Sequence, residues 1–330
     1  MDPVSQGALG AAAALVVAKP DQVRSVSLVG ALAGMAPDLD VFIRSSADPL
    51  LFLEYHRQFT HALTFIPVGA LICALIAGPF VRGCLTPPAV YGACLLGYGS
   101  HGLLDACTSY GTQLLWPFSD ARIAWNSVSV IDPLFTIPLL LGVALACMRP
   151  VPRLTRWVVV WGVAYVTIGV AQRERAEAFG LQWAATRGHT PVELVAKPGF
   201  GSLLLWKTYY EHDEVYYVDA VRLGFSKKVF PGAHVAKFDS ARDLPWLSAE
   251  SQQARDIERF RWFSSDYMAL DPSDSERVID VRYSMVPNQV EALWGIELTP
   301  SAAPEAHVDF FAERRPSEAQ RRELIRMLTD

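Results

Sequence analysis

The chain has 330 residues, 51% of them hydrophobic, a mean hydropathy of +0.21 and a net charge of −5. That length leaves room for two domains, and the apolar excess leans away from an ordinary soluble enzyme. An acidic chain without a basic stripe cannot neutralise a run of phosphates, so nucleic acid is excluded as an expected partner.

The opening residues, MDPVSQGALGAAAALVVAKP, carry Asp2 and no positive leader, which argues against a cleaved signal peptide. Residues 5–18 and 25–36 are apolar but short. They predict a tight helical hairpin against a bundle, with Gly7, Gly10, Gly30 and Gly34 permitting close backbone approach. Residues 62–82 supply about twenty apolar positions, enough to cross a hydrocarbon layer of about 30 Å. Further spans are expected at 89–107, 133–148 and 155–172, the middle one short and the last with Trp157 and Trp161 near one end. The five cysteines all lie in this half, without Cys-x-x-Cys spacing, and read as small packing residues.

If these segments alternate sides, Lys19, Arg24, Arg82, Arg149, Arg153 and Arg156 share one face. The longer connections 37–61 and 108–132 carry only Arg44, Arg57 and Arg122. The positive-inside rule then puts the latter, and everything after residue 172, on the non-cytoplasmic side of the inner membrane.

Polar residues interrupt the apolar half at Asp38 and Asp40 (APDLD), His56 and His61 (HRQFTH), His101 and Asp105 (SHGLLDACTSYG) and Asp132 (VIDP). On the alternating topology all fall at one membrane face. His101 and Asp105, at i,i+4, stack on one side of a helix and can ligate one Zn²⁺-like ion together; a plain His to Asp hydrogen bond fits the spacing equally well. Ionisable groups in an apolar bundle are costly and usually functional. Pro37 is expected to end a helix, leaving Asp38 and Asp40 in an extended or turn conformation as ligands or as caps. His56 is placed in a loop, as ligand or solvated side chain, and His61 at the entry of the 62–82 span. Asp132 before Pro133 is a natural helix N-cap.

After residue 172 the composition changes to charged and aromatic. RERAEAFGLQWAATRG reads as a helix, and LLLWKTYY, EVYYVDAVRLG, RFRWFSSDYMAL, RVIDVRYS and ALWGIEL as strands. A solvated turn is expected at residues 211–214, and a closing helix at PSEAQRRELIRMLTD. The expected fold is thus an all-α transmembrane helix bundle over 1–172 followed by a soluble α+β domain with a mainly antiparallel sheet over 173–330.

Taken in order, MDPVSQGALG, APDLD, HRQFTH, SHGLLDACTSYGTQLLWPFSD and IDPLFTIPLLLG resemble the YdjM-like family of membrane-bound metal-dependent hydrolases. The likeness is clear over residues 1–150, with a looser echo in RFRWFSSDY and DVRYS. That family is in turn similar to the all-helical zinc-dependent phospholipase C and single-strand nuclease group. The resemblance implies one zinc ion held by Asp38 or Asp40, His61, His101 and Asp105, with Asp105 able to bridge to a second. It departs at Ser5-Gln6, where the family usually has Thr-His. An amide is a poor zinc ligand beside an imidazole, which argues against a second ion and weakens the expectation of full hydrolytic activity.

The expectation is therefore a zinc-dependent hydrolase of phosphoesters, with membrane lipids or lipid-linked molecules among its partners. Asp38, Asp40 and His56 are the catalytic candidates, the carboxylate not committed to the ion serving as general base. Gln6 and Asp132 are expected behind the ligands. Two other readings stay open: a non-catalytic membrane protein with a structural or transported cation, and a bundle whose polar residues only cap and hydrogen-bond.

Overall fold

Asp2 starts the first helix, α1 (Pro3–Ala14), by accepting from the Val4 and Ser5 amides, with Pro3 in the first turn. α2 (Val23–Met35) returns beside it and tightens into a 3-10 stretch, Ala36–Phe42. The hairpin closes because glycines face each other: a Cβ on Gly30 would lie 2.7 Å from the Gly10 carbonyl oxygen. After α3 (Leu51–Tyr55) come two 3-10 turns, Phe59–His61 and Leu63–Phe65, and then α4 (Ile66–Val81), α5 (Pro87–Cys107), α6 (Pro133–Met148) and α7 (Pro152–Thr186). α5 packs into the hairpin, where a Cβ on Gly97 would meet the Gly30 carbonyl oxygen at 2.3 Å.

The structure, a computed structural model, describes residues 1–149, 152–313 and 315–329; the side chains of 152–155 also lie outside the description, Arg153 among them. The chain divides into two units. One comprises Met1–Ile43, Tyr55–Gln172 and Phe200–Leu203, the other Arg44–Glu54, Arg173–Gly199 and Leu204–Asp330. Residues 44–54 and 200–203 therefore depart from a single cut after residue 172.

Among the described residues, two helical stretches are long and apolar enough to cross a membrane, Val23–Phe42 and Leu63–Val81. The first was expected only as a short hairpin arm; continuing α2 through its 3-10 end gives it 20 residues. Pro133–Met148 is shorter than a span, and α5 has the length but carries Tyr91, Tyr98, Ser100, His101 and Asp105. On α4, Leu71, Leu75, Ile76 and Phe80 are all exposed, as a lipid-facing helix requires. α7 is one uninterrupted helix, so the helix expected at RERAEAFGLQWAATRG is its continuation.

The second unit is α+β. β1 (Leu194–Pro198), β2 (Leu205–His212), β3 (Val215–Leu223) and β4 (Lys227–Phe230) lie in that order in one antiparallel sheet, with β5 (His234–Ala236) also on β3. Asp213 and Glu214, both with positive φ, make the tight turn between β2 and β3. A second antiparallel sheet runs β6 (Met268–Asp271), β7 (Asp274–Asp280), β8 (Trp294–Glu297) and β9 (Asp309–Ala312). Tyr209, Tyr216 and Val218 of the first sheet form a buried cluster with Ala269, Ile279 and Val281 of the second unit. Two short helices intervene, α8 (Ser240–Asp243) and α9 (Gln252–Ser264), and α10 (Glu318–Thr329) follows β9, with Asp330 outside the described residues.

RFRWFSSDYMAL is not one strand. Its first half is the end of α9, because Ser251 caps that helix and Ile257, Phe260 and Ser264 bury one helical face. Ser265, in the left-handed region at φ 53°, breaks it before β6. Residues 44–54 are held within this unit by Arg259, which contacts Asp48 at 2.8 Å, Glu54 at 2.5 Å and Asp256 at 2.9 Å.

Candidate metal centre

Three backbone devices converge on one point. The 3-10 stretch Ala36–Phe42 turns about 120° per residue, so Asp38 and Asp40, two apart, point in directions about 240° apart. This replaces the expected extended conformation and separates the two carboxylates by role. The Phe59–His61 turn delivers His61, and the helical stacking of α5 delivers His101 and Asp105 from consecutive turns. Among the described residues, Asp38, His61, His101 and Asp105 form a group whose donor atoms all lie within 4.8 Å of one another.

His61 Nε2 and His101 Nε2 are 2.9 Å apart. Asp38 Oδ1 stands 3.5 Å from the first and 3.3 Å from the second, and Asp105 Oδ2 stands 3.3 Å and 3.7 Å from them. A tetrahedral ion with bonds of about 2.0–2.2 Å keeps its ligand atoms about 3.3–3.6 Å apart, and the observed separations bracket that range. Asp105 Oδ2 is buried and, among the described residues, has no hydrogen-bond partner. Such an acceptor is costly unless a cation completes it, so the donor set fits a divalent ion.

Each imidazole is oriented from behind. His101 Nδ1 meets the Gly34 carbonyl oxygen at 2.6 Å, which makes Nδ1 the donor and leaves the Nε2 lone pair facing the centre. His61 Nδ1 lies 3.2 Å from Asp40 Oδ2 and 2.9 Å from Thr60 Oγ1. Burial opposes charge on His61, but the carboxylates of Asp105, Asp38 and Asp40 around it outweigh burial and raise its pKa to about 10.

Asp40 faces away from the histidine pair's shared point. Its oxygens take His56 Nδ1 at 2.7 Å, the Arg57 amide at 3.0 Å and the Thr60 hydroxyl at 2.7 Å. Asp38, Asp40 and His56 form a second close group, but these donors already occupy Asp40. His56 keeps a third of its side chain exposed. Gln6 Nε2 donates to Asp105 Oδ1 at 2.8 Å, and the Met1 amino group donates to the same oxygen. Asp132 stands outside the group: it caps α6 through the Leu134 and Phe135 amides and accepts from Tyr165 at 2.8 Å.

In the sequence Arg57 counts only as a topological charge, yet it is buried, and its Nε lies 3.1 Å from Asp105 Oδ2. The signal was present: an arginine between two histidines at the mouth of an apolar span is costly to bury without a role. Thr108 accepts from Arg57 Nη1 at 3.1 Å, and the guanidinium lies 5.1 Å from the centre of the Tyr110 ring.

The chain is 28% identical over 145 residues to the uncharacterized protein YfhP of Bacillus subtilis (strain 168), covering 42% of each. It is 32% identical over 105 residues to the inner membrane protein YbcI of Escherichia coli (strain K12), covering 31% of this chain and 60% of YbcI. It thus matches less than two thirds of the length of either relative, and no solved structure matches it. The model of the family described as YdjM inner membrane protein matches residues 1–176, the region that holds the apolar helices and the whole His/Asp group. With more than half of its length so matched, the chain belongs to the YdjM inner membrane protein family.

Proposed function

We propose that the N-terminal unit is the zinc centre of a membrane-bound hydrolase acting on phosphoesters, including lipid-linked ones. The observation that carries this reading is the spacing of Asp38, His61, His101 and Asp105 around one point, with Asp105 Oδ2 buried and, among the described residues, without a hydrogen-bond partner. Zinc held there by these four residues would supply Lewis acidity and lower the pKa of a water to about 7. Asp38 and Asp105 bring the negative charge the ion needs, and His61 and His101 present Nε2 lone pairs. Asp40 orients His56 through Nδ1, so His56 Nε2 is the atom that takes and returns a proton. The spare-carboxylate role expected of Asp38 or Asp40 passes to His56, because Asp40 is buried and occupied.

The cluster and the C-terminal unit are assigned to the non-cytoplasmic side. Arg57 supports this: its charge is buried beside Asp105, which leaves the 37–61 connection poorer still in free positive charge. A membrane-impermeant maleimide should reach exposed Cys84, beside Arg82, and a Phe225→Cys probe from opposite sides. Labelling of both from one side ends the assignment.

The deciding experiment is metal analysis of detergent-purified protein together with turnover on phosphodiester and phospholipid panels. His101→Ala and Asp105→Ala should lose both metal and turnover; unchanged turnover removes the hydrolase reading. The amide at Gln6, against Asp105, favours the alternative of a structural or transported cation. Bound metal with no hydrolysis on any panel member is the outcome that reading requires.

A further inference from the structure

We propose that Arg57 is the anion-reading residue of this centre, gripping a phosphoryl oxygen of the substrate beside the cation. The inference rests on the cation reading above and adds a recognition element to it. Arg57 is 4% exposed, and its Nε lies 3.1 Å from Asp105 Oδ2, yet neither atom has a hydrogen-bond partner. The two form a buried ion pair without hydrogen-bond alignment, so the Arg57 Nε–H is left without an acceptor. One buried acceptor is left for a cation, and one buried donor, beside it, for an anion.

The backbone enforces this arrangement. Arg57 sits at φ 68°, a conformation costly for a residue with a side chain and found where surrounding structure compels it. Its amide is held by Asp40 and its carbonyl by the Gln113 amide at 3.0 Å. Thr108 takes Nη1, and Tyr110 lies near the guanidinium, so the side chain is aimed without Asp105 having to hold it. A planar guanidinium matches the two-oxygen edge of a phosphate and keeps its charge beside a divalent ion, where an amine is readily deprotonated. The ligand chemistry is therefore a phosphate mono- or diester anion, whether a lipid headgroup or a free phosphate compound.

The test uses full-length, zinc-loaded protein in detergent, with metal content measured for every sample. Inorganic phosphate is titrated calorimetrically into wild type, Arg57→Gln and Arg57→Lys, and phosphatidylglycerol in mixed micelles forms a parallel arm. Arg57→Gln should weaken binding about 10- to 100-fold at unchanged zinc content, with Arg57→Lys intermediate. If Arg57→Gln fails to fold, a weakened Arg57→Lys carries the result, since it keeps the charge and loses the fork. An Arg57 effect in the micelle arm alone assigns the anion to a lipid; an effect in both arms assigns it to phosphate generally. Full zinc occupancy with affinity unchanged in both variants and in both arms overturns this inference alone. Wild type that takes up no zinc overturns the cation reading and this inference together.

Discussion

Gly102 lies directly beneath His61: a Cβ on Gly102 would come 2.3 Å from the His61 carbonyl oxygen. The absence of a side chain at that point lets the turn carrying His61 settle against α5, one residue after His101. Gly102→Ala should therefore push the turn outward and separate the two imidazoles. Overpacking of this kind costs about 1–3 kcal/mol, and here it should also lower zinc stoichiometry. Full metal content in the folded variant would count against the dependence of the centre on this contact.

Metal uptake should release a proton. His61, with its pKa raised to about 10, is protonated at neutral pH when no ion is bound, and an ion requires its neutral form. Affinity should then rise about tenfold per pH unit from neutrality towards pH 10. The sign for stability is opposite in metal-free protein: the raised pKa stabilises fully below about 6.5, and that contribution fades as pH climbs through about 10. Calorimetry in buffers of different ionisation enthalpy measures the released proton directly, and a value near zero at pH 7.5 would refute the linkage.

In the second unit, burial lowers the Lys207 pKa to about 7 against the opposing pull of Asp280. The Nζ is held by Ser284 at 2.8 Å and the Gln289 carbonyl at 2.9 Å. The unfolded chain binds the extra proton between about pH 7 and 10.5, so this lysine's contribution to stability rises with pH across that window. Lys207→Met should therefore differ most from wild type below pH 7 and converge with it towards pH 10. Parallel melting curves at each pH supply the comparison, and a gap that widens with pH would contradict the assignment.

Much of the centre was legible because its elements are local. The i,i+4 spacing of His101 and Asp105 follows from helical repeat alone, and a charged pair in an apolar segment is conspicuous. APDLD was legible as a polar interruption, but its geometry was not: Pro37 tightens the chain into a 3-10 turn instead of an extended one. The aromatic run after residue 259 carries strand propensity, yet its first half follows the cap at Ser251 into a helix. Residues 44–54 gave no hint of their place in the second unit, because the partner that holds them, Arg259, is more than 200 positions away.

The order of residues by itself determined that residues 63–81 are long and apolar enough for a membrane, where the β-rich half begins, and which imidazoles and carboxylates are available. Tertiary packing decided that Asp38 joins the histidine pair while Asp40 turns to His56, that Gln6 and Arg57 flank Asp105 on different oxygens, and that Asp132 serves only its own helix and Tyr165. The reason is range. Backbone periodicity acts over a few residues, whereas the meeting of His61 with His101, 40 positions apart, depends on side-chain-free contacts at Gly30, Gly97 and Gly102 that let separate segments approach closely enough to share one centre.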